Sequence, residues 1–206
     1  MIMQPHKAIL LCFLAVFQTA YAQTSRMKFE HITTEQGLSR TNVPCIFRDS
    51  RGFMWFGTQD GLNRYDSYRI SVYRRDKNDP HSLSNNYVMA ITEDDRGNLW
   101  VATNGGLNMF DRATGRFIRY LHDEQDERSI PGDMISAVRA DKGNIWIGID
   151  GQGLVHLNLR TGRFQRFDLR EGPRDNHEKN HVLKIFRDRD DQLWIGTRGG
   201  LILFDA

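Results

Sequence analysis

Hydrophobic and polar positions repeat along this chain in units of nearly constant length, each centred on a tryptophan. The four tryptophans, Trp55, Trp100, Trp146 and Trp194, are spaced 45, 46 and 48 residues apart. The residues on both sides of most of them are also apolar, which is typical of a strand that is covered on both faces. Repetition at this period predicts units that each cover the next, as in a solenoid or a propeller.

Other positions keep a constant distance from the tryptophans. Gly or Ala follows each tryptophan by two residues, and a leucine preceded by glycine follows seven or eight residues after it. Nine residues before the tryptophans lie Ile46, Ile91, Ala137 and Ile185, and twelve before them lie Val43, Val88, Met134 and Val182. This register predicts one strand of each unit around a Val-x-x-Ile segment.

Each unit is predicted to contain four strands. They lie around the Val-x-x-Ile segment, the tryptophan, the Gly-Leu segment and, in the second and third units, Gly115–Phe117 and Gly162–Phe164. The turn between the first two strands needs a residue that tolerates positive φ. The residues at that place, three before each tryptophan, are Gly52, Gly97, Gly143 and Asp191.

Four short strands per unit predict an all-β fold, a β-propeller. We expect about four Trp-centred blades over residues 23–206, as part of a larger, seven-bladed ring, with the tryptophans as wedges between blades. The last blade is expected to be incomplete, and Met27–Glu30 to supply an outer strand. A solenoid is the alternative.

Residues 1–22 differ in character from the rest. Lys7 is the one formally charged side chain among them, Ala8–Phe17 is an unbroken apolar run, and Ala20–Ala22 supplies small residues of the A-x-A type. This order is typical of a secretory signal peptide, and the run is shorter than the about 20 apolar residues that span a bilayer. We therefore expect residues 1–22 to be removed on export.

Charge and cysteine content bear on the possible partners and on disulfide formation. The chain has 28 Lys and Arg against 26 Asp and Glu, a formal net charge of +2, and this balance does not favour nucleic acid binding. Cys12 lies in the predicted signal peptide, so the exported part has a single cysteine, Cys45, and no internal disulfide.

Two units resemble a known repeat. Both are similar to the two-component regulator propeller repeat. The matching segments are Gly37–Ser39, Ile46–Thr58 and Asp60–Asp66 in the first unit, and Asp79–Asn86 and Asn104–Asn108 in the second. The resemblance extends over residues 29–206.

The third unit departs most from that repeat, with an extra residue in Asp150–Gly153 and with Ala140 where Asp is usual. The resemblance implies the periplasmic sensor region of a hybrid two-component histidine kinase, the outward-facing part of an inner-membrane protein. The kinase activity would then lie outside this chain. It also implies a homodimeric full-length protein that binds an extracellular small molecule or oligosaccharide, with no cofactor.

Polar loop residues at one end of the predicted blades are candidates for ligand binding. Propeller geometry places the loops before the first strands beside the turns between second and third strands. Their polar groups can pair with sugar hydroxyls, or they are simply solvated turn residues. The candidates are Arg40, Asn42, Gln59, Asp60, Asn85, Asn104, Asp150, Gln152, His181 and Arg198.

The segment His177–His181 reads H-E-x-x-H, which holds zinc when it lies on a helix. Here it directly precedes a predicted strand, so we expect no zinc site. No nucleophile motif is present, and we assign no catalytic residue and no metal ligand. Two other interpretations stay open: a secreted propeller carbohydrate-active enzyme, either a lyase or a glycosidase, and a truncated nonfunctional fragment.

Overall fold

The chain folds into antiparallel strands, which are joined by turns within each sheet and by longer loops between the sheets. The computed structural model describes residues 29–170 and 177–204. Within them, single turns of 3-10 helix occur at Thr34–Gln36 and His177–Asn180. The strands are β1 Cys45–Arg48, β2 Met54–Thr58, β3 Gly61–Tyr65, β4 Ile70–Tyr73, β5 Val88–Glu93, β6 Leu99–Thr103, β7 Gly106–Asp111, β8 Arg116–Tyr120, β9 Ile135–Asp141, β10 Asn144–Ile149, β11 Gly153–Asn158, β12 Arg163–Phe167, β13 Val182–Arg187, β14 Leu193–Thr197 and β15 Gly200–Phe204.

Four sheets follow one another along the chain, and each corresponds to one unit of the sequence repeat. Blade 1 consists of β1–β4, blade 2 of β5–β8, blade 3 of β9–β12 and blade 4 of β13–β15. Strands pair in chain order within each blade, so every connection inside a blade is a hairpin. The first strand of each blade packs beside the first strand of the next. The predicted all-β propeller of Trp-centred blades is confirmed.

Two predictions about the N-terminal region lie outside the described residues. The signal peptide at residues 1–22 falls among residues 1–28, and the outer strand proposed for Met27–Glu30 begins there. Both stay predictions, as does the seven-bladed ring. Blade 4 has three strands within the described part of the chain.

The turn between the first two strands of each blade contains one residue in the left-handed region. Gly52, Gly97 and Gly143 have φ of 89°, 82° and 77°, and Asp191 has φ of 69°. Asp tolerates this region better than most side chains. The predicted equivalence of Asp191 with the three glycines is therefore confirmed.

The tryptophans of the first three blades each pack against the following blade. Trp55 lies edge-on to Phe110 of blade 2, with ring centroids 5.6 Å apart, and Trp146 lies edge-on to Phe204 of blade 4 at 5.5 Å. Trp100 belongs to the core that blades 2 and 3 share. Truncating a buried residue of this size costs about 3–5 kcal/mol. The interpretation of these tryptophans as wedges between blades is confirmed.

A glycine two residues after the tryptophan sets the distance between two pairs of blades. A Cβ on Gly57 would lie 2.6 Å from Cγ1 of Val88, and a Cβ on Gly148 would lie 2.5 Å from Cγ1 of Val182. Carbon atoms in contact normally lie about 3.5–4.0 Å apart. Only glycine therefore admits the next blade at this separation.

Blade 3 has a shorter first hairpin than blade 1. In blade 3 Asp141 pairs with Asn144, which leaves two residues in the turn, whereas in blade 1 the last pair is Arg48 with Met54, which leaves five. Glycine keeps its place three residues before the tryptophan in both blades, so the turn position alone did not reveal this difference; Ala140 in place of the usual Asp was its visible sign.

The shorter hairpin shifts the first strand of blade 3 by one residue. Ile135 pairs with Ile149 and is buried, whereas Met134 is exposed. The sequence alignment, which gave Met134 and Ala137 the places of the Val-x-x-Ile residues, was wrong for this blade. Ile135 and Val138 hold those places, and Ala137 instead contributes to the core shared with blade 4.

A buried asparagine fixes the loop that precedes the first strand in blades 1 and 2. The backbone N–H of Ser39 donates to Asn63 Oδ1 at 2.9 Å, and that of Ser84 donates to Asn108 Oδ1 at 2.9 Å. In blade 3 the corresponding residues are Pro131, which has no N–H, and Val155, which has no acceptor. Donor and acceptor are lost together, so this exchange leaves neither member of the pair unsatisfied.

Candidate functional site

The predicted ligand-binding loops lie together at one end of the blades, which we call the loop rim: residues 40–42, 59–60, 85–87, 104–105, 132–134, 150–152, 181 and 198. One backbone hydrogen bond recurs there in three blades and fastens the turn after the second strand to the loop before the first strand. The bonds are Asn104 N to Tyr87 O at 3.1 Å, Asp150 N to Met134 O at 2.9 Å and Arg198 N to His181 O at 3.0 Å.

Backbone hydrogen bonds also join the rim from blade to blade. The N–H of Gly61 in blade 1 donates to Asn86 O before blade 2 at 2.8 Å, and that of Gly106 in blade 2 donates to Asp133 O before blade 3 at 2.8 Å. Blades 1 and 2 thus each position the loop of the following blade. From blade 1 to blade 3 the rim is a hydrogen-bonded edge instead of a set of independent loops.

Two candidates from different blades form a direct pair. His181, before blade 4, has its Nδ1 2.5 Å from Oδ1 of Asp150 in blade 3, and both side chains are partly exposed. The contact between Nδ1 and the carboxylate fixes the orientation of the imidazole ring. The pair therefore places a carboxyl group and an oriented ring side by side at the rim.

Two further candidates, Gln59 and Asn85, form hydrogen bonds to Tyr87. Gln59 of blade 1 donates through Nε2 to the Tyr87 hydroxyl at 3.3 Å, and Asn85 accepts the Tyr87 backbone N–H at 2.8 Å. Asp60 is directed elsewhere, because it pairs with Arg74 just after β4 at 3.2 Å. The structure thus brings Gln59 and Asn85 to one place and Asp60 to another.

Arg40, Asn42 and Gln152 do not belong to either of these two groups. Arg40 and Asn42 are exposed, and no hydrogen bond among the described residues joins either of them to another candidate. Gln152 lies against Gly132, and its backbone oxygen accepts from Arg166 Nε at 2.9 Å.

The H-E-x-x-H segment does not form a ligand pair. His177–Asn180 is a single 3-10 turn, and His177 lies beside Arg170 while His181 lies beside Asp150. Across residues 29–170 and 177–204, no group of three or more His, Cys, Asp or Glu side chains is placed to hold a metal ion.

Sequence reasoning missed a partly open pocket lined by the first strands of all four blades. Its volume is about 330 Å³, and its lining includes Cys45, Ala90, Ser136 and Lys184. Burial raises the pKa of the Cys45 thiol to about 11. The sequence could have indicated this pocket, because these residues lie on predicted first strands and the first strands of a propeller line its central axis.

A groove of about 850 Å³ lies outside the rim, along loop 121–130 between blades 2 and 3. Two polar side chains that line this groove already have backbone oxygens as hydrogen-bond partners. The Arg119 guanidinium donates to Ser82 O, and His122 Nδ1 lies 2.9 Å from Ile130 O. None of the ten candidates lines it, so the rim remains the better placed site.

Sequence reasoning also missed the role of three aspartates that precede the tryptophans by six residues. Each accepts the indole N–H of its own blade, in addition to backbone N–H groups of the turn. The pairs are Trp55 with Asp49 at 2.8 Å, Trp100 with Asp94 at 2.9 Å and Trp194 with Asp188 at 2.7 Å. These carboxylates connect the wedge to the hairpin and leave the rim, at the other blade end, free for binding.

The blades, the tryptophan wedges and the rim define a class of β-propeller, and comparison with known families identifies it. Residues 37–60, 82–105 and 178–199 match the family described as two component regulator propeller. Each segment spans the first two strands of a blade and reaches the turn after them. The resemblance inferred from the sequence is confirmed: the chain carries two-component regulator propeller repeats.

Individual relatives agree with this. The chain is 36% identical to histidine kinase P4 of Formosa agariphila over 96% of the chain. Two solved structures from B. thetaiotaomicron are also similar. The first is the extracellular domain assigned to the hybrid two component system BT3049, with 27% identity, 86% of the chain covered and a TM-score of 0.58. The second is the extracellular domain assigned to the one component system BT4673, with 25% identity, 82% of the chain covered and a TM-score of 0.64.

The chain spans only part of these relatives. It covers 18% of the length of the histidine kinase and 30% and 25% of the two solved domains. Within the described part of the chain, no helix has the length and apolar character needed to cross a bilayer.

Proposed function

We propose that this chain is the signal-sensing propeller of a two-component signalling protein and that its loop rim binds an external ligand. The observation that carries the proposal is the family match in three of the four blades. Similarity to a histidine kinase and to two extracellular domains supports the same role. In this proposal the chain binds and does not catalyse, and the kinase activity belongs to the rest of a hybrid sensor histidine kinase that acts as a homodimer.

The proposed location is the periplasm, as the outward-facing part of an inner-membrane protein. The charge and apolar pattern of residues 1–22 supports export. The similar solved structures are described as extracellular domains, which supports the same side of the membrane.

The proposed ligand is a small molecule or oligosaccharide rich in hydroxyl groups. The rim offers the Asp150 and His181 pair, the amides of Gln59 and Asn85, and the exposed Arg198. Carboxylate, imidazole, amide and guanidinium groups together supply both acceptors and donors, as sugar hydroxyls require. Mixed polar groups at the edge of a rigid scaffold are typical of binding loops.

Isothermal titration calorimetry of the purified chain tests the proposal, with size-fractionated oligosaccharides from xylan, pectin and chondroitin sulfate as probes. Binding of at least one fraction is expected, and His181→Ala and Arg198→Ala are expected to weaken it by about tenfold or more. Arg51→Ala is the matched control for Arg198→Ala, because Arg51 is an exposed turn arginine at the opposite end of a blade.

Three results would overturn the proposal. They are no binding to any of the fractions, equal loss of affinity in Arg51→Ala and Arg198→Ala, and shortening of the bound oligosaccharide. Shortening, detected by mass spectrometry of the recovered probe, would favour the carbohydrate-active enzyme instead.

A further inference from the structure

Two loops that join consecutive blades fold in the same way. Loop 74–83 follows blade 1, and loop 121–130 follows blade 2. Three hydrogen bonds recur at equivalent positions, which makes the two loops directly comparable. They are Asp76 N to Ser82 Oγ and Asp123 N to Ser129 Oγ, His81 N to Asp79 Oδ1 and Arg128 N to Asp126 Oδ1, and Ser82 N to Asp79 O and Ser129 N to Asp126 O.

An arginine of the following blade occupies loop 74–83. This residue is Arg119 on β8, and its guanidinium donates to four oxygen atoms of the loop. The backbone N–H of Phe117, also on β8, donates to His81 O at 2.8 Å and closes the loop onto the blade. The four acceptors of Arg119 are Ser82 O at 2.7 Å, Asp79 O at 2.8 Å, the Ser82 hydroxyl at 2.7 Å and Leu83 O at 3.1 Å.

The equivalent arginine of blade 3 is directed elsewhere. Arg166 has the same place on β12 that Arg119 has on β8, but its Nε donates to Gln152 O on the loop rim at 2.9 Å. Within residues 29–170 and 177–204, no side chain donates to the backbone oxygens of Asp126 and Ser129. Two of the oxygens that bind a guanidinium in loop 74–83 thus have no side-chain donor in loop 121–130.

A groove lies where the first of the two loops is closed. It has a volume of about 850 Å³ and runs between loop 121–130 and β12. Phe164 is partly exposed beside it, whereas the equivalent Phe117 is 2% exposed. The oxygen equivalent to Leu83 O, that of Ile130, lies 2.9 Å from His122 Nδ1 at one wall. Blades 2 and 3 each have four strands, so a four-stranded sheet lies on both sides of the groove.

The charge of the two loops differs in the same sense. Loop 74–83 has three basic and two acidic side chains, whereas loop 121–130 has one basic and four acidic ones. The loop without a guanidinium from its own blade therefore has the negative charge that attracts one. Tyr120, Leu121 and Phe164 add aromatic and aliphatic surface to the groove, and guanidinium groups pack well on aromatic faces.

We propose that loop 121–130 binds an arginine side chain of a partner protein. The guanidinium takes the place that Arg119 has in loop 74–83, on the backbone oxygens of Ser129 and Asp126, and the neighbouring residues of the partner lie along the groove. The groove is larger than one side chain needs, which suits a short peptide segment. Binding here does not depend on ligand binding at the loop rim, and the two can fail separately.

Nuclear magnetic resonance titration of the purified chain with N-acetyl-leucyl-arginine amide tests this site. We expect saturable amide shifts at residues 123–130 and 162–164, with a dissociation constant of about 1 mM, as is usual for a ligand of this size. The amides of loop 74–83 should stay unchanged, because Arg119 already binds its oxygens. The matched probe N-acetyl-leucyl-citrulline amide has a similar shape but no charge, and it should bind about tenfold more weakly.

Variants test whether the two loops bind in the same way. Arg119→Ala removes the guanidinium from loop 74–83, so the arginine probe should then shift the amides of that loop as well. Glu124→Gln, at an exposed side chain of the groove, should weaken binding to loop 121–130 by about twofold to fivefold. Glu35→Gln, at an exposed carboxyl before blade 1, is the matched control and should leave the affinity unchanged.

Four results would overturn the proposal. They are the absence of saturable shifts in loop 121–130, equal affinity for the citrulline probe, a folded Arg119→Ala variant in which loop 74–83 does not respond, and binding that occurs only in Arg166→Gln. The last would show that Arg166 of the same chain occupies the loop in place of a partner. The dispersion of the amide spectrum shows whether Arg119→Ala is folded, and the wild-type titration stands without it.

Discussion

Arg112 of blade 2 binds Asp49 of blade 1, with its Nη1 2.9 Å from Asp49 Oδ2. The same carboxylate oxygen accepts the indole N–H of Trp55 at 2.8 Å, and Nη2 of Arg112 lies 2.7 Å from Oε1 of Glu93. All three charged side chains are nearly buried. One arginine thus connects the wedge and hairpin of blade 1 to the first strand of blade 2.

Removal of Arg112 is expected to be strongly destabilising. Arg112→Met leaves the carboxylates of Asp49 and Glu93 buried without their cation, and breaking a buried pair in this way costs about 3–5 kcal/mol. Urea denaturation measures the free energy of unfolding. Arg69→Met is the control, because the pair of Arg69 with Asp66 is solvent-exposed and such pairs contribute about 1 kcal/mol or less. Equal losses in the two variants would contradict the prediction.

The Asp49 carboxyl is expected to contribute to loss of stability in acid. Burial alone raises its pKa, but hydrogen bonds from the Trp55 indole and the Phe53 backbone N–H, together with Arg112, outweigh burial and hold the pKa below its usual value. Because the folded-state pKa is lower than the unfolded one, its stabilisation is present above about pH 4 and is lost as the pH falls further.

Urea midpoints measured between about pH 6 and about pH 2 test this prediction. Asp49→Asn should be less stable at neutral pH and should lose less stability than the wild type on acidification. The Asp66→Asn variant, at an exposed carboxyl whose pKa is also lowered, is the comparison for a surface group. An acid dependence identical in Asp49→Asn and wild type would show that Asp49 does not contribute.

The indole of Trp146 differs from that of Trp100 in its hydrogen bonding. Trp100 donates to Asp94, whereas Nε1 of Trp146 is buried without a partner among the described residues. Trp100→Phe removes one of several hydrogen bonds to the buried Asp94 carboxylate, which keeps those from Arg96 and Asn98, and Trp146→Phe removes an unpaired N–H. The first substitution should therefore cost about 1 kcal/mol more than the second. Urea denaturation of both variants measures this difference, and equal costs would contradict it.

The thiol of Cys45 is expected to react slowly until the solution is strongly alkaline. Burial raises its pKa to about 11, and the thiolate is the reactive species. The rate of iodoacetamide labelling of the Cys45 peptide, followed by mass spectrometry, should rise with a midpoint near that value in the folded chain and near about 8.5 in urea. A folded-state midpoint near the urea value would mean that the thiol is accessible to water.

The sequence predicted the blades because the Trp-centred pattern is repeated four times and every copy constrains the others. It did not predict the register of blade 3, where a two-residue turn at Lys142 and Gly143, both with positive φ, replaces a five-residue one. Either turn joins two strands well, so the choice is not visible in the hydrophobic pattern. Trp146 has no aspartate partner at this place because Ala140 stands six residues before it, where the other blades have Asp.

The rim was predictable as a region but not as a set of contacts. Which loops lie at one blade end follows from the order of the hairpins alone. The approach of His181 to Asp150, 31 residues away, depends on how blade 4 is rotated against blade 3. That rotation is set by packing at the tryptophan wedge, which a linear pattern does not specify.

A nuclear magnetic resonance titration tests directly whether the loop rim receives the signal. Backbone amide resonances of the purified chain would be followed while the oligosaccharide fraction that binds in calorimetry is added. If the rim binds the ligand, shifts are expected in the turns at residues 59–60, 104–105, 150–152 and 198–199, and the amides of the first hairpins at residues 50–52 and 95–97 should stay unchanged. Shifts confined to the first hairpins, or to loop 121–130, would contradict it.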